Sequence, residues 1–455
     1  MALAGARPRP THVRYGVMAF LCALSFLTYF DRVCIVRAQG DIQRDLGLSD
    51  TQMGTVLGAF WFAYAVFEIP VGWWGDRFGS RRTLTRIVLA WSLFTALSGS
   101  ATGFASLLTF RFLFGLGEAG AYPNMARIQS RWLPARARGR AGGLLWLMAR
   151  WGGAFSPVIF GAMLRAFDSP ALRPFLGTIA SWRIGFWASG LLGLVWVALF
   201  YPWFRDEPAE KAGANEAELA LIRSGRDPGD AALATALATP PGLFMSLFTS
   251  PSLWALAVLY LCGSFGWSFF VSWMPRFLKD VHGVSFQKSE WMNVAPLFFG
   301  GLSCLLGGWL SDWVVRRTGR RRLGRAVFPI AGCLTAASAM LALPTVRSPH
   351  AAVTLMCVAA AAFDFGQGAN WATIVDIGGR YAGSATGFIN LVGNMGNSFQ
   401  PVIGAWIFNH LGWPALFITY AGAYLAAGSM WLLIDPRRQF YREAPPGGFP
   451  VVVKM

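Results

Sequence analysis

The sequence predicts an all-α integral membrane protein of twelve transmembrane helices in two six-helix bundles, and three observations carry that expectation. The chain of 455 residues is 55% hydrophobic and 13% charged, with a mean hydropathy of +0.45. Soluble domains carry about 25% charged residues, and a soluble core of this composition would leave far too much apolar surface exposed. Apolar stretches long enough to span a bilayer, about 20 residues each, recur along the whole chain. Finally, the chain repeats itself. Gly72-Trp73-Trp74-Gly75-Asp76 returns as Gly308-Trp309-Leu310-Ser311-Asp312, an offset of 236 (308 − 72), and arginines follow both copies. A repeat of about six helices is how many carriers are built, with the binding site between the halves near the midplane.

Residues 1–14 form an N-terminal segment with Arg7, Arg9 and Arg14. The apolar stretch from Tyr15 onward is long, contains Asp31-Arg32 and is followed by no A-x-A site. It therefore reads as an uncleaved first span and not as a signal peptide. Spans near 15–37, 52–74, 84–104, 106–130, 141–165 and 182–204 make the N-terminal bundle, 15–204. The polar stretch 205–250 reads as a linker on the membrane surface, in which Asn215 and Glu218 form a capping box opening a short helix through Arg223. Spans near 251–276, 289–312, 326–345, 350–375, 383–408 and 412–435 make the C-terminal bundle, 251–435, followed by a tail at 436–455.

Alternate connections are rich in arginine: Arg77, Arg81, Arg82 and Arg86, then Arg131 to Arg140, then Arg316 to Arg325, then Arg437, Arg438 and Arg442. The positive-inside rule places these loops, the linker and both termini in the cytoplasm of a cell whose inner (plasma) membrane holds the protein. The net charge of +17 sits in these loops and calls for no nucleic-acid partner. The six cysteines lie in apolar segments without ligand spacing, so no disulfide framework, metal or cofactor is expected. With no nucleophile–His–carboxylate set, an enzyme is not expected either.

Charge inside the spans is the informative exception, because it costs at least ~2.5–3.5 kcal/mol at the bilayer centre unless it faces a cavity or a partner. Asp31-Arg32 lies in the first span, Arg111 and Glu118 in the fourth. Arg111 and Glu118 share a helix face about 10 Å apart, too far to pair unless both side chains bend. An arginine fork matches a carboxylate with two parallel bonds, and a partly desolvated glutamate can hold a proton. Arg111 is thus either an anion contact or half of an ion pair with Asp31 or Glu118. Asp31 and Arg32 point about 100° apart, so one can face a cavity while the other braces the bundle. Arg150 in the fifth span either adds a cationic contact or snorkels to the membrane edge. Tyr64 is a cavity hydroxyl or a packing aromatic, and Glu68 serves a gate or an arginine network. In the second half Asn390, Asn394 and Asn397 share one face, and Asp364, Gln367 and Asn370 share another. Such amides suit hydroxyl groups, or bond between helices.

The stretch Gly72-x-x-x-Asp76-Arg77-x-Gly79-x-Arg81-Arg82, between the second and third spans, resembles the cytoplasmic loop motif of the major facilitator superfamily. The whole of 15–435 fits that fold. The resemblance makes Gly72, Asp76, Arg77, Gly79, Arg81 and the second copy's Asp312 a gate. Its glycines let helix ends approach, and its aspartate meets arginines or a helix N-terminus of the other half. Asp31-Arg32, Tyr64, Ile69-Pro70-x-Gly72, Arg111-Phe112, Gly115-x-Gly117-Glu118, Trp273-x-Pro275, Gly387-Phe388-x-Asn390 and Gly393-Asn394-x-Gly396 resemble the anion:cation symporter family. That resemblance implies proton-coupled uptake of a small organic anion, a sugar acid or related carboxylate, by a monomer in the lipid bilayer. Arg32, Tyr64, Arg111, Arg150, Gln367, Asn390 and Asn394 would then meet the anion, and Asp31 and Glu118 would exchange protons.

The chain departs from the family at three points. No histidine lies inside a span, which argues against a vesicular-type histidine relay. Arg150 is an additional cation, and Glu68 stands where many relatives are expected to carry Gln. Export of a lipophilic or drug-like anion, sodium coupling and a carrier-like membrane sensor are the competing readings.

Overall fold

The computed structural model describes residues 9–224, 242–284 and 290–441. Parts of the predicted N-terminal segment, linker and tail, at 1–8, 225–241 and 442–455, lie outside the described residues. Twelve spans are observed. In the first half they are α1 (Val13–Leu46), α2 (Asp50–Phe78), α3 (Ser80–Gly99), α4 (in two pieces, Phe104–Glu118 and Ala121–Trp132), α5 (Arg138–Phe167) and α6 (Ser181–Trp203). In the second they are α7 (Pro251–Ser272), α8 (Glu290–Thr318), α9 (Arg321–Ala342), α10 (Pro349–Phe365 and Gln367–Gly378), and α11 and α12, which share the helix Ala382–Ser429. That last helix would be about 72 Å long if straight, more than twice the ~30 Å hydrocarbon core. It turns at Gly412, whose φ of 76° is left-handed.

Local sequence explains the ends. α1 runs past its predicted end because Ala38 and Ile42 keep its inner face apolar and buried. It stops at Gly47, a left-handed C-cap whose N–H donates to the Gln43 carbonyl. α2 opens on a capping box: Gln52 N donates to Ser49 Oγ, and Ser49 N donates to Gln52 Oε1. α3 and α4 are the least apolar spans, the first carrying Arg81, Arg82 and Arg86, the second Arg111 and Glu118. α4 breaks at Ala119–Gly120, where Gly120 has φ +82° and its Cα faces Val71. The fourth span of the second half, α10, is also broken, at Gly366.

Side chains exposed on the outside, among them Phe62, Leu191, Leu199, Val402 and Trp406, are apolar and suit lipid. One apolar core fills the second half around Phe269, Met340, Met356, Phe417 and Tyr420. The core of the first half, around Leu21, Phe60, Trp91, Phe114 and Met125, continues across the interface to Trp371, Val375 and Ala382. The halves meet chiefly where α2 faces α11 and α5 faces α8. Glycines set the spacing there. A Cβ on Gly308 would come within 2.2 Å of the Gly139 carbonyl oxygen, and one on Gly72 within 2.7 Å of that of Gly383.

The linker helix Glu216–Arg223 begins as expected, with Asn215 Oδ1 accepting from Glu218 N at 2.9 Å. The other arm of the predicted capping box is redirected. The Glu218 carboxylate accepts from Val13 N, Arg14 N and the Arg14 guanidinium, and so caps the start of α1. A charged acceptor at a helix N-terminus is favoured by the free N–H groups there. Burial works against the charge of Glu218. The bonds from Thr11, Arg14 and Val13 outweigh it and hold the carboxyl below the usual range.

Candidate functional site

The four charged groups predicted in the first half do converge, with a pairing the sequence did not specify. Arg32 of α1 donates from Nε to Glu118 Oε1 of α4 at 2.8 Å, both side chains being buried. Glu118 therefore takes its partner from another helix and not from Arg111 on its own. The Arg32 guanidinium lies over the Tyr64 ring at 4.3 Å and near Tyr29 at 5.0 Å. These rings, with Phe60 and Trp61 from α2, form an aromatic wall that holds the cation by its face and leaves its edge for hydrogen bonding.

Arg111 is 1% exposed, and its Nε and one terminal nitrogen have no hydrogen-bond partner in the protein. Its guanidinium sits over Phe114 at 4.5 Å and Phe60 at 5.3 Å. Glu118 and Asp31 act on it electrostatically but form no ion pair with it within 4.0 Å. Asp31, 2% exposed, has Oδ1 without a protein partner, and so does Glu118 at Oε2. A buried donor left unsatisfied costs about 1–3 kcal/mol, more when charged. The cluster is thus assembled but incompletely bonded, and an acidic ligand would supply what Arg111 lacks.

Arg150 is a different case. It was expected either to touch a ligand or to snorkel; in this structure it is buried and paired across the halves. Nε and Nη2 donate to the two oxygens of Asp364 in α10 at 2.8 and 2.7 Å, a two-bond pair joining the halves. The guanidinium also lies over Trp267 of α7 at 4.3 Å. Asp364, which has no arginine nearby in sequence, finds one 214 residues away.

The amides of α11 are also engaged. Asn390 and Asn394 donate to the two oxygens of Glu68 on α2, at 3.0 and 3.2 Å. They were expected to face ligand hydroxyls; here they bridge the halves. Gln367 is buried with Oε1 lacking a protein partner. Asn370 accepts from the Trp431 indole at 3.2 Å. Glu68, read from the sequence as serving a gate or an arginine network, bridges the two halves through the amides of Asn390 and Asn394. The signal for it was a carboxylate in α2 and an i, i+4 amide pair in α11.

The gate motif works through its aspartates. Asp76 accepts from Ser384 N and Ser384 Oγ, at 2.8 and 2.7 Å, capping the start of α11. Asp312 accepts from Gly139 N and Arg140 N, at 3.0 and 2.7 Å, capping the start of α5, and pairs with Arg325 at 2.8 Å. Each copy therefore caps a helix of the opposite half. Arg138 adds a bond to Asp376 at 2.7 Å, and the Trp371 indole one to Gln129 at 2.8 Å. Arg77 stays over Trp73 and Phe78, Arg81 donates to the Tyr201 carbonyl, and Gly79 turns beside Asp206, all within the first half. These polar links across the halves run from the middle of the spans to the arginine-rich face.

Twelve spans in two bundles joined at paired aspartate caps define a membrane carrier fold. The profile of the Major Facilitator Superfamily matches residues 21–401, and the chain belongs to that family. The chain is 31% identical over 428 residues to the probable sulfoacetate transporter of Cupriavidus necator, covering 93% of this chain and 94% of that one. It is 30% identical over 413 residues to the probable galactarate/D-glucarate transporter of Escherichia coli K12, with 86% of each covered. Among solved structures, the proton:xylose symporter XylE bound to 6-bromo-6-deoxy-D-glucose aligns with a TM-score of 0.71 at 16% identity. That alignment covers 93% of this chain and 96% of the other, and it speaks to the fold alone.

Proposed function

We propose that the protein is a secondary active transporter that takes up a small organic anion, a sugar acid or related carboxylate, together with protons. The observation that carries this reading is Arg111, a buried guanidinium with two nitrogens free of protein partners, beside a second arginine and two carboxylates. The names of the relatives support the same class of cargo. Arg111 and Arg32 hold the acid group of the cargo. Asp31 and Glu118 carry the protons, each having one oxygen with no protein partner. The arginine-rich face is cytoplasmic by the positive-inside rule. The links there join the halves on that face, which supports reading this arrangement as the cytoplasm-closed member of an alternating-access cycle. Two arginines and two ionised carboxylates sum to zero in the empty site, and one proton taken up with each negative charge of the cargo keeps that sum at zero while the halves rock.

Uptake of labelled galactarate, galacturonate and sulfoacetate into proteoliposomes, with and without an acidic exterior, tests the reading. Accumulation that follows the pH gradient is expected. Uptake driven by sodium, net export, or transport of lipophilic anions only would overturn it.

A further inference from the structure

Glu68 is held by neutral groups. It is fully buried and, like Asp31 and unlike Glu118 and Asp364, it forms no ion pair within 4.0 Å of a cation. Unlike Asp31, it has a partner at each oxygen, the side-chain amides of Asn390 and Asn394 on the other half. The charged group acting on it is Arg32 from α1, already paired with Glu118 of α4. α11 presents uncharged amides to it.

Its position gives these bonds a mechanical meaning. Glu68 lies two turns of α2 inward from Asp76. Between them the backbones of α2 and α11 are in close contact: a Cβ on Gly387 would come within 2.7 Å of the Glu68 carbonyl oxygen, and one on Gly72 equally close to that of Gly383. Glu68 is thus the innermost link of the clasp that Asp76 completes at the arginine-rich face.

We propose that Glu68 is a third proton-bearing group and that its ionised form locks α2 to α11, keeping the arginine-rich face shut. An ionised carboxylate accepts one amide N–H at each oxygen. Protonation turns one of those oxygens into a hydroxyl donor and a weaker acceptor, so the amide that faces it is held less tightly or has to turn. Protonation loosens the clasp, and loss of the proton on the cytoplasmic side restores it. The empty, ionised carrier is then biased to return outward, the direction an importer needs. This inference rests on the proton-coupled reading given above. Glu68 acts through the helices and is a positioning residue for transport, with no contact to the cargo required.

Spin labels on Arg82→Cys and Arg320→Cys, exposed positions on the two halves at the arginine-rich face, report closure of the clasp. Cys262 and Cys357, the native cysteines that are not buried, are replaced by Ser. In wild-type protein in nanodiscs, acidification is expected to shift the population from closed to open by about 10- to 100-fold, the effect of one bond to a charged group. Glu68→Gln is expected to weaken that pH dependence about tenfold or more, leaving what Asp31 and Glu118 contribute, while retaining counterflow exchange. Asn390→Leu, which removes a donor but no titrating group, is expected to favour the open population at every pH and keep the pH response. A distance in Glu68→Gln that tracks pH as in the wild type overturns the proposal, and so does a wild-type distance indifferent to pH. Proton-driven uptake by the wild type, measured in parallel, reports separately on the parent reading.

Discussion

Two buried arginines, on adjacent parts of one interior, show how differently the same side chain can be used. Arg150 spends both prongs of its fork on Asp364, across the interface, and stacks on Trp267. Arg111 spends neither Nε nor one terminal nitrogen on any protein group, although two carboxylates lie within its electrostatic reach. Both sit in apolar helices, and both would pass as ligand contacts on sequence grounds. The difference teaches that a buried charge is informative only when its bonds are traced. A completed pair joins structure, and an incomplete one still has bonds to offer.

The largest effect is expected where the pairing is complete. Arg150→Ala leaves Asp364 buried and alone, which should cost about 3–5 kcal/mol of stability, read as a lowered unfolding temperature in detergent. Arg150→Met combined with Asp364→Leu should recover most of the loss, because an apolar pair of similar volume is often neutral. If Arg150→Ala were as stable as the wild type yet failed to bind cargo, the contrast between the two arginines would collapse.

Arg111→Lys should lower affinity for the cargo about 10- to 100-fold, since one ammonium replaces a planar fork, with stability little changed. Binding titrations on purified protein decide this, and an unchanged affinity removes Arg111 from the site. Glu118→Gln keeps an oxygen for Arg32 but carries no proton. Counterflow exchange should persist while proton-driven accumulation falls by about tenfold for each unit of pH gradient. Full accumulation by that variant would assign the coupling elsewhere.

The smallest effect concerns a fully bonded carboxylate outside the membrane, Glu218. Its bonds hold it below the usual carboxyl range, so the stabilisation it lends is present at neutral pH. That stabilisation is lost as pH falls through its depressed titration point. The protection of the Val13 and Arg14 amides, which donate to Glu218, against hydrogen exchange, taken relative to the intrinsic rate at each pH, should fall under acid, and Glu218→Gln should reproduce part of that fall at pH 7. Protection unaffected by either change would show that α1 is capped by something else.

Much of this molecule is legible in the chain. Span length, apolarity and the repeated Gly–Trp–x–x–Asp stretch define twelve helices in two halves, because a membrane leaves helices as the form in which an apolar run satisfies its own backbone. Asp31, Arg32, Arg111 and Glu118 are conspicuous because charge in such runs is costly. The motif aspartates were expected to meet a helix end or an arginine of the other half, and each caps a helix there. Of the motif's companion arginines, named with it as part of the gate, Arg77 and Arg81 lie in their own half, on rings and a carbonyl. The break of α4 at Gly120 went unread as well, since a left-handed glycine inside an apolar run looks the same as one that packs helices.

What the tertiary structure alone decided is the wiring. Glu118 pairs with Arg32 of another helix, Asp364 finds Arg150 at a separation of 214 residues, and Glu68 finds Asn390 and Asn394 at separations of 322 and 326. Helical periodicity relates a residue to neighbours three or four positions away on its own helix. It carries nothing about which face of a second helix is turned toward it. The sequence by itself determined the membrane, the number of spans, the halves and the presence of charge within them, because these follow from the cost of moving each residue out of water. Which charges complete one another and which are left for a ligand was decided by the packing of α1, α2, α4, α5, α10 and α11, because a hydrogen bond depends on positions that only the assembled bundle sets.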